Sequence, residues 1–156
     1  MNSWDSYHAV TTLLYRYAEA IDLADFDTIG ELFTHATMTN EGYPGEIRGG
    51  EAIGALYRTS NRVHPNGTLM TRHVTTNAIV EIDDVSGSGT VRSYFTVLQC
   101  TPTLPLQVIV AGRYHDRFER VAGVWRFAHR HVLLEAVGDV HEHLLIDLAS
   151  LRSDER

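Results

Sequence analysis

Among 156 residues there is a single cysteine, Cys100, which excludes an internal disulfide and a zinc site built from thiolates. Basic side chains are also scarce: thirteen Lys and Arg stand against twenty Asp and Glu, for a formal net charge of −7. Nucleic acids and anionic membranes must be neutralised by Lys and Arg, so neither is expected as a partner. No apolar run approaches the ~20 residues of a membrane-spanning helix. The start, Met1-Asn2-Ser3-Trp4-Asp5, lacks the basic-then-apolar pattern of a signal peptide, and the chain reads as cytoplasmic. A glycine-rich phosphate loop between strand and helix and a Gly-x-Ser-x-Gly elbow are both missing, which sets aside nucleotide-binding and serine-hydrolase readings. There is no repeat, low-complexity segment or linker. What remains is the composition of an ordinary globular protein, 44% hydrophobic and 21% charged, with enough length for one cored domain.

Helical periodicity comes first. Val10, Leu13, Leu14, Tyr17, Ala18 and Ile21 recur at three-and-four spacing and predict a long helix from Ser3 to Ala24. Asp25 offers a capping oxygen to a shorter helix carrying Phe26, Ile29, Leu32 and Phe33. Thr37 to Asn40 reads as a short strand, Gly42 to Gly45 as a turn, and Gly49-Gly50 as the entry to a third helix with Ile53, Leu56 and Tyr57. From Leu69 the period changes to two. Four long strands are predicted: about Met70 to Ile82, Gly89 to Gln99, Leu106 to Arg120 and Val124 to Leu134, the last two joined by a tight hairpin at Val121-Ala122-Gly123. Helices followed by long antiparallel strands indicate an α+β domain, its helices closing one face of a curved sheet to make a cone with a lined interior. The tail from 135 to 156 repeats leucine helically at Leu144, Leu145, Leu148 and Leu151, but ends in charges; it either packs on a neighbour or frays.

The predicted strand from Met70 puts His73, Thr75, Asn77 and Ile79 on one face and Val74, Thr76, Ala78, Val80 and Ile82 on the other, the second set being the drier. His73 is thereby either a hydrogen-bonded structural histidine or a base. Asp22, at the end of the first helix, is either a surface or capping carboxylate or, with Asp25 better placed to cap, a group carried inward beside Ile21 and in roughly the direction of Tyr17. A carboxylate bonded to one imidazole nitrogen would leave the other free to take a proton. Strict alternation in the last strand sets Arg130 opposite Trp125, Phe127, His129 and His131, either reaching solvent or awaiting an anion. It also places Trp125, Phe127, Val108 and Val110 near an exposed outer face suited to oligomerisation. Tyr94 and Tyr114 are wall or core tyrosines. The pairs His129/His131 and His141/His143 have chelating spacing, but no third ligand is identified and no metal is expected.

The stretches Tyr17-Ala18-Glu19-Ala20-Ile21-Asp22-Leu23-Ala24-Asp25-Phe26-Asp27, Arg72-His73-Val74-Thr75-Thr76-Asn77, Gly112 to Arg120 and Gly123-Val124-Trp125-Arg126-Phe127 together resemble the SnoaL-like branch of the nuclear-transport-factor-2-like superfamily, over roughly Trp4 to Leu134. That resemblance implies a single domain over 1–134 on a cone-shaped α+β barrel, a homodimer or homotrimer, a small hydrophobic ligand and no cofactor. Superfamily members include dehydratases, a dehydrochlorinase and polyketide cyclases, as well as non-enzymes, so the fold alone does not select an activity. The aspartate–histidine dyad of the dehydratase and dehydrochlorinase members falls on Asp22 and His73, with Tyr17 and Arg130 as further catalytic candidates and Tyr94, Tyr114, Asn77 and Asn40 as substrate-binding ones. Scytalone dehydratase differs in carrying a second histidine where this chain has Tyr94, and a tyrosine where it has Ile21, so scytalone is not the expected substrate. The implied activity is a cofactor-independent elimination or isomerisation. A polyketide-cyclase-like reaction is the alternative, and a binding module or oxygenase small subunit is a third reading from a different class.

Overall fold

The computed structural model describes residues 3–147. Helix α1 spans Ser3–Asp22 and buries Val10, Leu14, Tyr17, Ala18 and Ile21 along one stripe, as the periodicity predicts. Asp25 caps α2, Phe26–Leu32, its carboxylate accepting the Thr28 N–H at 3.0 Å. Strand β1, Thr37–Asn40, is followed by β2, Tyr43–Arg48, and helix α3, Gly49–Ser60. The predicted turn at Gly42 to Gly45 is mostly strand: only two residues turn, and β2 folds back antiparallel on β1. Backbone-to-backbone packing joins α2 to α3, since a Cβ on Gly50 would fall 1.9 Å from the Gly30 carbonyl oxygen.

The four long strands are β3, Thr71–Asp83; β4, Ser88–Thr101; β5, Leu104–Val121; and β6, Val124–Val137. They join β1 and β2 in one sheet of order β2-β1-β6-β5-β4-β3. All pairings are antiparallel except β1 on β6. The sheet curves around the helices without closing, and its inner face meets α1 and α2 in a core that includes Leu14, Ile21, Phe33, Phe95, Phe118 and Phe127. Beyond β6, residues 138–147 form turns and one bridge, Asn61 to Leu144. The rest of the tail, with Leu148 and Leu151, lies outside the described residues.

Bulges, which bend a strand and shift its facing by one residue, overturn two of the predicted faces. On β3, His73 pairs with Val97 and Thr75 with Phe95, both core residues of β4, so His73 faces inward. The register then slips between Thr76 and Ile79, with Asn77 at φ 53°. Past the slip Ala78, Val80 and Ile82 pack against the core, while Val74, Thr76 and Ile79 are exposed. On β6, Arg117 pairs with His129 but Phe118 with Phe127, leaving Ala128 as the extra residue. Trp125 and Phe127 are therefore buried inside rather than on an outer face, and Arg130 emerges on their side of the sheet. Val110 is likewise buried, whereas Val108 stays exposed.

Candidate active site

The end of α1 brings Asp22 against the start of β3. Its Oδ1 lies 2.7 Å from His73 Nδ1 and 2.7 Å from the Thr71 hydroxyl, and both oxygens accept the His73 backbone N–H, at 3.1 and 3.0 Å. Burial pushes the Asp22 carboxyl up, but the hydrogen bonds and charge of His73, with the Thr71 hydroxyl, outweigh it and hold the group below the usual range. An ionised carboxylate only accepts, so Nδ1 donates, and the lone pair of a neutral His73 ring sits on Nε2. Side-chain exposure is 8% for His73 and 13% for Asp22, so the dyad is enclosed.

A second histidine closes on the first. The ring of His143 lies 6.1 Å from that of His73, centroid to centroid, at 63°. Its Nδ1 is buried without a hydrogen-bond partner. Burial, reinforced by the charge of His73, pushes its pKa down to about 3, which keeps the ring neutral. The segment carrying it is pinned on both sides: Arg62 N–H donates to the His143 carbonyl at 2.8 Å, Leu145 N–H to the Ser60 carbonyl at 2.9 Å, and Gln99 Nε2 to the Glu142 carbonyl at 3.0 Å. His141, two residues away, instead turns outward to Asp139. Tail periodicity gave little signal for this placement, because ten residues of turn carry no repeat.

Arg130 neither reaches solvent nor awaits an anion. Fully buried, it forms a bidentate pair with Asp116, Nε to Oδ1 at 2.7 Å and Nη2 to Oδ2 at 2.8 Å. Its guanidinium carbon lies 3.9 Å from the Tyr114 ring centroid and 4.3 Å from that of Tyr17, with Phe127 and Phe33 beyond. Burial opposes its charge, Asp116 more than compensates, and only Nη1 lacks a partner. Sequence reasoning passed over Asp116, although a lone carboxylate alternating with Tyr114 and Phe118 on an inward face was a signal that it must be paired.

Tyr17 belongs to this second cluster: its hydroxyl is 2.7 Å from that of Tyr57, and burial raises the pKa of Tyr57 and Tyr114, keeping both protonated. Five helical residues turn about 140° and rise about 7.5 Å, so α1 directs Tyr17 and Asp22 apart rather than the same way, into two neighbouring clusters. Tyr114, stacked on Phe95 with centroids 4.3 Å apart, is buried in the cluster of Tyr17 and Arg130. Tyr94 is 47% exposed and Asn77 is exposed on the outer side of the bulge, so neither lines the interior. Asn40 pairs with Val132 at the far end of β1, half-buried and away from the dyad strand.

Two open clefts lie elsewhere. One of about 700 Å³ runs between α2 and α3 past Gly30, Gly50 and Arg58; another of about 370 Å³ lies beside His8, Leu13 and Trp125. Neither touches the dyad. On the outer sheet face His129 and His131 bond the hydroxyls of Thr37 and Thr39. Among the described residues no three His, Cys, Asp or Glu side chains gather to hold a metal ion, and no helix is long and apolar enough to cross a membrane.

A model of the SnoaL-like domain matches residues 2–131. Among solved structures, Rv3472, a Mycobacterium tuberculosis protein of unknown function, is 25% identical with a TM-score of 0.70, over 86% of this chain and 79% of its own. LinA is 22% identical with a TM-score of 0.68, over 88% of this chain and 91% of its own. A nuclear-transport-factor-2-like protein of cystatin-like fold from Novosphingobium aromaticivorans is 19% identical with a TM-score of 0.69, over 84% of this chain and 82% of its own. At such identities the last two likenesses establish the fold. No curated protein matches the sequence.

Proposed function

Because the chain belongs to the SnoaL-like domain family, and its one enclosed aspartate–histidine pair among the described residues meets at 2.7 Å, we propose that it is a cofactor-independent lyase or isomerase acting on a small hydrophobic cyclic molecule. The contact between Asp22 and His73 carries this reading. His73 Nε2 takes a proton from a carbon beside a carbonyl, while Asp22 orients the ring and stabilises the imidazolium that forms. In an elimination the freed electron pair becomes the new C=C bond. The expelled hydroxide then recovers a proton from the His73 imidazolium and leaves as water. In an isomerisation the same proton returns to a different carbon.

A general base of this kind contributes typically ~10²–10⁴-fold, and a dry, oriented site supplies the remainder. Arg130, paired with Asp116 in the neighbouring cluster, keeps only Nη1 without a partner and anchors that cluster rather than the leaving group. Tyr17 joins it there, its hydroxyl shared with that of Tyr57. A polyketide-cyclase-like reaction would use the same dyad on a larger ligand, whereas a binding module would not need a carboxylate held ionised against an imidazole. The exposed Val74, Ile79, Tyr94 and Val108 support a homodimer or homotrimer through the outer sheet face.

The test is turnover of cyclic β-hydroxyketones to enones by the wild type and by His73→Ala. Loss of turnover with an unchanged circular dichroism spectrum is expected; a His73→Ala variant as active as the wild type sinks the assignment.

A further inference from the structure

His143 lies beyond the matched family region, residues 2–131, yet it is one of the buried polar residues among those described and its ring adjoins that of His73. Its position is set by its backbone, not by its ring. The peptide on either side is tied to Ser60, Arg62 and Gln99, and its own N–H donates to the Val140 carbonyl at 2.9 Å. The imidazole makes none of these bonds. A residue only 5% exposed, whose Nδ1 has no partner, forfeits the hydration of that nitrogen without a compensating bond. A phenylalanine or leucine would fill the same place without that loss.

Resting on the lyase or isomerase reading above, we propose that His143 is the third polar group of the dyad site and binds substrate, its Nδ1 hydrogen-bonding an uncharged oxygen, a hydroxyl or a carbonyl, while His73 handles the proton. The electrostatics select the class of that oxygen. His143 is neutral, Arg130 is matched by Asp116, and Asp22 is anionic, so the enclosed groups supply no spare cation for a carboxylate or phosphate. A halide or a bare hydrocarbon would leave the imidazole nitrogen as poorly satisfied as before. An oxygenated apolar ring meets both conditions: its skeleton suits the core residues Leu69 and Val97, which adjoin Asp22 and His73 in the backbone, and its oxygen completes His143.

Three probes share a bicyclic skeleton: α-tetralone carries a ketone, tetralin no oxygen and α-naphthoate a carboxylate. With the full chain, α-tetralone should bind and move the ring-nitrogen resonances of His143, and the other two should bind at least about tenfold more weakly, the weight of one hydrogen bond. His143→Phe should lower α-tetralone affinity about tenfold and leave tetralin unchanged, and His143→Asn, which sets an amide atom near the Nδ1 position, should recover it to within about threefold. Equal affinity of wild type and His143→Phe for α-tetralone overturns the inference. So does equal binding of α-tetralone and tetralin, or binding of none of the three. Should His143→Phe fail to fold, still histidine resonances on binding of α-tetralone to the wild type overturn it as well. Deuterium uptake at the α-carbon of α-tetralone, compared between wild type and His73→Ala, separates the two readings. Uptake that does not depend on His73 removes the general base and leaves the binding role standing; unchanged affinity and uptake in His143→Phe removes only His143.

Discussion

Asp22 holds His73 twice, through the ring nitrogen Nδ1 at 2.7 Å and through the backbone N–H at 3.0 Å. The side-chain bond sets the tautomer and the main-chain bond sets the strand, so one carboxylate at a helix end positions both the base and the element that carries it. Thr71 contributes a further donor from the inner face of β3.

Replacement of Asp22 therefore acts on stability and activity together. Asp22→Ala leaves the Thr71 hydroxyl and the His73 N–H without an acceptor, at a cost of about 1–3 kcal/mol. Asp22→Asn retains an acceptor but no charge, and should cost activity about as much as losing the base, ~10²-fold or more, with a smaller loss of stability. Urea denaturation and turnover, measured on both variants, check the separation; equal activity of Asp22→Asn and wild type would contradict it.

Stability should fall with acid in two stages. The folded pKa of His143, about 3, lies below the ordinary histidine value near 6.5, so the unfolded chain binds its proton first. Its contribution is full above pH ~6.5 and is lost as the pH falls toward ~3, with a slope on the order of 1 kcal/mol per pH unit. Asp22, also held low, contributes above its unfolded value near 3.9, and that part disappears only as the pH falls below it. Urea midpoints from pH 7.5 to 3.5 should decline in the wild type and decline less steeply in His143→Phe, where His129, also held low by burial, still contributes.

Arg130 and Asp116 are buried completely and bonded twice. Removing one partner strands a charge in the core, so Arg130→Met or Asp116→Leu alone should cost about 3–5 kcal/mol. The double replacement should recover much of that loss, since two apolar side chains need no partner. Thermal unfolding of the three variants measures the coupling; additive losses would argue against it.

Asn77 sits at φ 53° in the β3 bulge, a region that glycine enters freely and β-branched residues do not. Asn77→Gly should be near neutral, and Asn77→Val should lose about 1–3 kcal/mol. Both should leave ligand affinity intact, because the residue faces outward. Melting temperatures and α-tetralone titrations together decide the matter.

Much of this molecule is local and hence legible in the chain. Helical spacing marks α1 to its last turn, Asp25 announces the start of α2, and Val121-Ala122-Gly123 ends β5 at the hairpin where it was expected. These features depend on neighbours within a few residues, where backbone sterics and side-chain period act directly. Family resemblance, not periodicity, paired Asp22 with His73 across a separation of 51 residues.

Tertiary structure alone decided which way the strands face and what the polar groups meet. A period of two carries no memory of an inserted residue, so the bulges at Asn77 and Ala128 reversed the faces downstream of them and turned Arg130, Trp125 and Phe127 to the same side. Register then set Asp116 directly opposite Arg130. The placement of His143 depends on hydrogen bonds from Arg62 and Gln99, partners far away in the chain, so no local pattern could mark it as a neighbour of His73. Which residues can be helix or strand is settled by short-range energetics. Which of them meet is settled by packing, and the site is made of meetings.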